Sequence, residues 1–135
     1  MSAAYVKSHI EHGINTIEFF HPQSNSLPGK ILEELAHEIH FAGTHSDTSV
    51  IILKSAGEKT FCSGASFDEL IAIENEAAGL KFFSGFANVI NAMRKCPKFM
   101  IGRIQGKCVG GGVGLSCAVE YAIAYDKSDV KLSEL

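Results

Sequence analysis

No stretch of this sequence stays apolar for anything near the ~18 residues of a membrane-spanning helix, so a helical span is not expected. The opening "MSAAYVKSHIEHG" lacks the apolar core of a secretory signal. Basic residues are in the minority: 12 Lys and Arg stand against 15 Asp and Glu, a net charge of −3, and they are scattered without a stripe. Phosphate-backbone binding needs clustered Lys and Arg, so nucleic acid is not an expected partner. The four cysteines (Cys62, Cys96, Cys108 and Cys117) form no CxxC pair and no zinc-type spacing. Reduced thiols in a cytoplasmic protein are the expectation. No metal site is expected either. His37 and His40 lie three apart on a predicted helix, after Glu33, but no third ligand has a matching position and a solvated polar face accounts for them. Internal repeats, low-complexity tracts and linkers are also missing, and 135 residues suit one domain spanning residues 1–135.

What is present is a regular alternation. "YVKSHI" and "INTIEFF" read as two strands joined through Gly13, an antiparallel hairpin. From Pro28 to about Ala42, Ile31, Leu32, Leu35, Ala36 and Ile39 recur at helical spacing. "SVIILK" (Ser49 to Lys54) is a continuous apolar run, the pattern of a strand buried on both faces. "SAGEKTFCSGAS" reads as loop, and "FDELIAI" as a short helix. Ala77 to Lys95 predicts a long helix with a core stripe of Leu80, Phe83, Phe86, Ala87, Ile90 and Met93, ended by Pro97. "FMIGRI" is a further strand, then "KCV", the glycines, a short helix over "GLSCAV" and another buried strand, "YAIAY". Such an order implies right-handed crossovers and a mostly parallel sheet, an α/β fold.

Two glycine-containing loops carry the candidate chemistry: "FCSGAS" (Phe61 to Ser66) and "VGGGVG" (Val109 to Gly114). Each can present a backbone N–H at a helix start, where donors are free and the dipole is positive. Two such groups aimed at one point form an oxyanion hole. Tight helix–sheet packing uses glycine equally well, and the pattern alone leaves both open. A GxGxxG frame fails at Leu115 or at Cys117, and the Gly-Lys-Ser/Thr ending of a phosphate-binding loop is absent.

These stretches resemble the crotonase superfamily, the enoyl-CoA hydratases and isomerases, along essentially the whole chain and in family order. "NSL" before Pro28 is similar to the family's N-A-L ahead of its first long helix. "FCSGASFDEL" resembles F-C-A-G-A-D-hydrophobic-x-E-L, and "KCPKFMIGRIQGKCVGGGVGLSCAVEYAIA" resembles the family's segment around its three glycines. The resemblance implies a crotonase-like spiral of ββα units, mostly parallel sheet flanked by helices. It also implies a trimer or a dimer of trimers, and acyl thioesters of coenzyme A as substrates rather than a separate cofactor. The thioester carbonyl is expected between the N–H groups of Ala65 and Gly111, with Ser63, Ser66, Phe67 and Gly110 also against the substrate.

The departures decide the chemistry. Gly114 stands where hydratases carry their first catalytic glutamate, and Ser66 replaces the usual aspartate. Phe99 replaces a proline, and Arg103 sits where a small residue is usual. An ungapped count places the second glutamate at Glu134, behind Ser133 instead of proline. A double-bond shift needs one base, whereas hydration uses two groups, so the pattern points to an enoyl-CoA isomerase of fatty acid metabolism with Glu134 as base. The hydratase (a lyase), a decarboxylase or thioester hydrolase, and a non-catalytic acyl-CoA-binding scaffold are the alternatives. "KLSEL" ends within an apolar-patterned segment, so the family's C-terminal helical part is expected to be missing here.

Overall fold

The computed structural model describes residues 3–132. A hairpin opens the chain: β1 (Tyr5–Glu11) and β2 (Ile14–Phe20) pair antiparallel from Tyr5 opposite Phe20 to Glu11 opposite Ile14. The short β3 (Ser26–Leu27) leads into α1 (Gly29–Thr44). Next come β4 (Val50–Ser55), β5 (Thr60–Cys62), β6 (Gly64–Ala65), α2 (Phe67–Ile71) and α3 (Glu76–Lys95). A further turn supplies β7 (Phe99–Ile104), β8 (Lys107–Val109) and α4 (Gly111–Cys117), followed by β9 (Tyr121–Ala124) and β10 (Val130–Lys131).

Successive turns of chain lay one strand into each of two sheets. The larger runs β1-β2-β4-β7-β9, parallel from β2 onward, and a second runs β10-β8-β5, also parallel. The pairs β4/β5, β7/β8 and β9/β10 are therefore repeats of one unit, a strand in each sheet, with helices closing the first two. A β3–β6 ladder ties the first turn to the second.

The core lies between the larger sheet and the pair α1–α3. Ile17, Phe19, Ile51 and Leu53 from the sheet meet Leu35, Ile39, Val89 and Met93 from the helices, all fully buried or nearly so. At about 25 cal/mol per Å2 of apolar surface, burying each such side chain favours folding by about 2 kcal/mol.

Four expectations need correction. Strand β4 is not buried on both faces: Ile51, Leu53 and Ser55 are buried, while Val50, Ile52 and Lys54 are half-buried. The helices cover only one face, and on the other Lys54 reaches the Glu18 carboxylate at 3.4 Å. The "YAIAY" strand is exposed, with Tyr121 at 60% and Ile123 at 58%, because β9 is the sheet edge and no described strand pairs beyond it. On α3, Val89 and Met93 are buried with Phe86 and Ile90 packed beside them, but Leu80 (70%) and Phe83 (69%) face outward. No described element covers that outward face, although Gly85 on the opposite side of the helix packs against Leu32 of α1. Finally, the stretch read as a loop after β4 contains β5 and β6, strands of three and two residues.

One polar cluster fixes the hairpin. Tyr5 donates its hydroxyl to Glu18 at 2.6 Å, and Lys7 and Lys54 approach the same carboxylate at 3.3 and 3.4 Å. Burial pushes the Glu18 carboxyl upward, but the hydrogen bonds from Tyr5, Lys7 and Lys54 outweigh it and hold it below its ordinary value. The bond to Glu18, and then burial, push Tyr5 up to about 12 from 10.0. A group raised on folding stabilises fully below its unfolded pKa and loses that contribution as pH rises through the folded one. Stability is therefore expected to fall between pH 10 and about 12 from this residue. Urea unfolding across that window should show a steeper alkaline loss in the native chain than in Tyr5→Phe.

Candidate active site

The two glycine loops meet. Each contains a glycine in the left-handed half of backbone space immediately before a residue singled out as a donor: Gly64 (φ 101°) before Ala65, and Gly110 (φ 56°) before Gly111. A positive φ reverses the chain locally and re-aims the next peptide group, a conformation that side chains rarely tolerate. The loops are in close contact. A Cβ on Gly64 would stand 3.1 Å from the Val109 carbonyl oxygen and 3.5 Å from the Gly111 nitrogen.

Gly110 is the N-cap of α4, with φ 56° and ψ −121°, and its own N–H donates to the Lys131 carbonyl at 3.1 Å. Gly111 is the first helical residue, so no carbonyl within α4 can accept its N–H. The glycines also serve packing. A Cβ on Gly111 would meet the Phe86 ring at 2.7 Å, and one on Gly112 would run into the Cys62 carbonyl oxygen. Of the two readings left open by the sequence, the packing one is observed: Gly111 and Gly112 allow α4 to press on α3 and β5, while Gly110 turns the chain ahead of the helix.

The partner loop is held from below by Asn25. Its Oδ1 accepts from the His21 N–H at 2.8 Å, and its Nδ2 donates to the carbonyls of Ala56 and Thr60 at 2.9 and 3.0 Å. The Ser63 N–H donates to the Asn25 carbonyl at 3.3 Å, so this residue anchors the start of the "SGAS" segment. Asn25 is buried and itself adopts φ 55°, a conformation that asparagine tolerates better than most residues. Asn25 opens the "NSL" stretch, and an Asn inside a polar loop is the one sequence signal for this anchoring role.

Ser63, Ala65 and Phe67 line an open cavity of about 460 Å3 together with Gln23, Ser24, Ser26 and Asp68. Ser66, expected against the substrate, does not line it. The residue is buried and its hydroxyl accepts the Glu69 N–H at 3.3 Å, capping α2. Glu69 reaches across to accept the Gly29 N–H at 2.7 Å, joining α2 to the start of α1. Glu120 likewise accepts the Met100 N–H at 2.7 Å, fixing the chain between α4 and β9 to β7.

Gly114, where the resemblance places a glutamate in hydratases, faces α3, and a Cβ there would meet the Ile90 Cδ1 at 3.0 Å. Glu134 lies outside the described residues. His37 and His40 are exposed on α1, and among the described residues no group of three or more His, Cys, Asp or Glu could hold a metal ion. Burial pushes the Cys62 thiol up to about 12 and raises that of Cys108, so neither is poised as a nucleophile at neutral pH. No helix among the described residues is long and apolar enough to cross a membrane.

A parallel ββα spiral with two abutting glycine loops defines a class, and the comparisons agree. The sequence model for enoyl-CoA hydratase/isomerase matches residues 9–135, and the chain belongs to that family. It is 31% identical over 123 residues to a (7aS)-7a-methyl-1,5-dioxo-2,3,5,6,7,7a-hexahydro-1H-indene-carboxyl-CoA hydrolase of Rhodococcus jostii, covering 91% of this chain and 47% of the relative. It is 27% identical over 125 residues to the ethylmalonyl-CoA decarboxylase of Xenopus tropicalis, covering 92% and 42%. The structure superposes on the enoyl-CoA hydratase of Bacillus anthracis with a TM-score of 0.86 at 30% identity, covering 97% of this chain and 50% of that one. The crotonase fold expected from the sequence is thus observed. The chain spans about half the length of these relatives.

Proposed function

We propose that this chain binds an acyl-CoA thioester and stabilises its enolate between the backbone N–H groups of Ala65 and Gly111. The observation that carries the reading is the pair of positive-φ glycines, Gly64 and Gly110, each directly ahead of a donor and packed against each other's loop. Donors fixed in place before the reaction need no reorganisation as charge develops on oxygen, and each is worth roughly 3 kcal/mol of transition-state stabilisation.

Double-bond isomerisation is the reaction that best fits the residues. Glu134 as the single base removes an α proton from a 3-enoyl thioester, the two N–H groups hold the dienolate oxygen, and the same carboxylic acid returns the proton at the γ carbon. Hydration asks for a second acid–base group, and Gly114 offers none. A trimer or a dimer of trimers belongs to the same reading. The test is conversion of a 3-enoyl-CoA to its 2-enoyl isomer. The native sequence is expected to turn over, and Glu134→Gln to lose at least about 100-fold. Unchanged turnover in that variant would remove Glu134 from the mechanism.

A second reading has its own support. With no carboxylate at 114, the site can stabilise an enolate formed by loss of carbon dioxide, or a tetrahedral oxyanion during thioester hydrolysis. The hydrolase and decarboxylase among the relatives favour it. Free thiol released from acyl-CoA, or carbon dioxide from a malonyl-type thioester, without isomerisation, would select it.

A further inference from the structure

Cys62 and Cys108 sit opposite each other in the ladder between β5 and β8. The pairing depends on an irregularity: Thr60 lies opposite Lys107, and one extra residue in β5 brings Cys62, not Phe61, opposite Cys108. Adjacent strands run about 4.8 Å apart, which falls within the roughly 4.4–6.8 Å between Cα atoms that a disulfide spans. Both side chains face the same helix. The Cβ of Cys62 lies under Gly112, 2.9 Å from where a side chain there would begin, and Cys108 is fully buried on the paired strand. Residues paired across neighbouring strands present their side chains to the same face of the sheet, so the two thiols lie side by side. Both are free thiols in the structure.

We propose that Cys62 and Cys108 are a redox pair that closes to a disulfide beneath the two glycine loops. The bond would join β5 to β8 two residues ahead of Gly64 and of Gly110, tying together the strands that feed both proposed donors. The oxidant is a hydroperoxide. One thiolate attacks the peroxide oxygen and becomes a sulfenic acid as water or alcohol leaves. The second sulfur then displaces the hydroxyl as water, so two thiols lose two electrons and the peroxide gains them. Burial keeps both thiols protonated, so closure is slow and quickens with pH. Cys117, exposed at the end of α4, is the competing partner for Cys108.

Non-reducing peptide mapping of the native, folded chain after hydrogen peroxide treatment tests this, with the remaining thiols alkylated before digestion. The expected product is one linked pair, Cys62 with Cys108. It should be lighter by two hydrogens, reversed by dithiothreitol, formed faster at alkaline than at neutral pH and retained in Cys117→Ala. Linkage of Cys108 to Cys117 would overturn the proposal, as would oxidation confined to Cys96 and Cys117 with Cys62 and Cys108 still free. The readout is a mass and does not depend on the acyl-CoA reading.

Discussion

Alanine at position 112 is expected to destabilise the fold by about 3 kcal/mol or more, beyond what an added methyl group commonly costs in a core. The reason is the nature of the obstacle. The new Cβ would meet the carbonyl oxygen and carbon of Cys62, which are backbone atoms of β5 and cannot swing aside as a side chain can. Relief requires α4 to lift from β5, which loosens the packing of Leu115, fully buried on that helix. Gly114→Ala is the matched control. Its Cβ would meet only the tip of Ile90, the far end of a flexible side chain, so a change within about 1 kcal/mol is expected. Thermal unfolding should separate them, with the melting temperature of Gly112→Ala lower by roughly 10 °C or more and that of Gly114→Ala near native. Equal effects would mean that α4 does not sit on β5 as described.

Gly110→Ala is expected to weaken function far more than stability. At φ 56° and ψ −121°, residue 110 occupies space that an L side chain enters only at a cost of about 1–3 kcal/mol. An alanine relaxes by rotating the peptide that carries the Gly111 N–H, and the proposed donor turns away. Loss of one oxyanion donor lowers turnover by about 100- to 1,000-fold. Gly57→Ala supplies the comparison. Gly57 also has a positive φ, 94°, but nothing lies within 4 Å of its would-be Cβ and it lines none of the proposed site. The two variants should lose similar stability, while only Gly110→Ala loses acyl-CoA turnover.

Much of the fold was legible because it follows from hydrophobic periodicity. The helical spacing of Ile31, Leu32, Leu35 and Ile39 is the face that α1 buries, and β2, β4 and β7 follow from apolar runs of strand length. The errors share one cause: an apolar pattern marks a surface that can be buried, not one that is. Tyr121, Ile123, Leu80 and Phe83 carry core-like patterning, yet they are exposed because no described element covers them. Strands β5 and β6, two or three residues each, carry no periodicity; their pairing with β8 and β3 is a long-range fact. In the site, the glycine pattern located both loops. Asn25 was missed because its role rests on hydrogen bonds to residues more than 30 positions away. Ser66 caps α2, a task the sequence leaves open because a serine before a short helix looks the same whether it caps the helix or meets a ligand.

The measurement that tests the central claim most directly is a thermal-shift titration of the native chain with acetoacetyl-CoA, set against free CoA and against the Gly110→Ala variant. A ligand that binds only the folded state raises the melting temperature in proportion to the logarithm of its concentration over its dissociation constant. The account predicts a shift with acetoacetyl-CoA that grows logarithmically with concentration and exceeds that with CoA alone, and loss of that difference in Gly110→Ala. Equal shifts for both ligands in the native chain, or a difference that survives at Gly110→Ala, would contradict a thioester oxygen held by the Ala65 and Gly111 N–H groups.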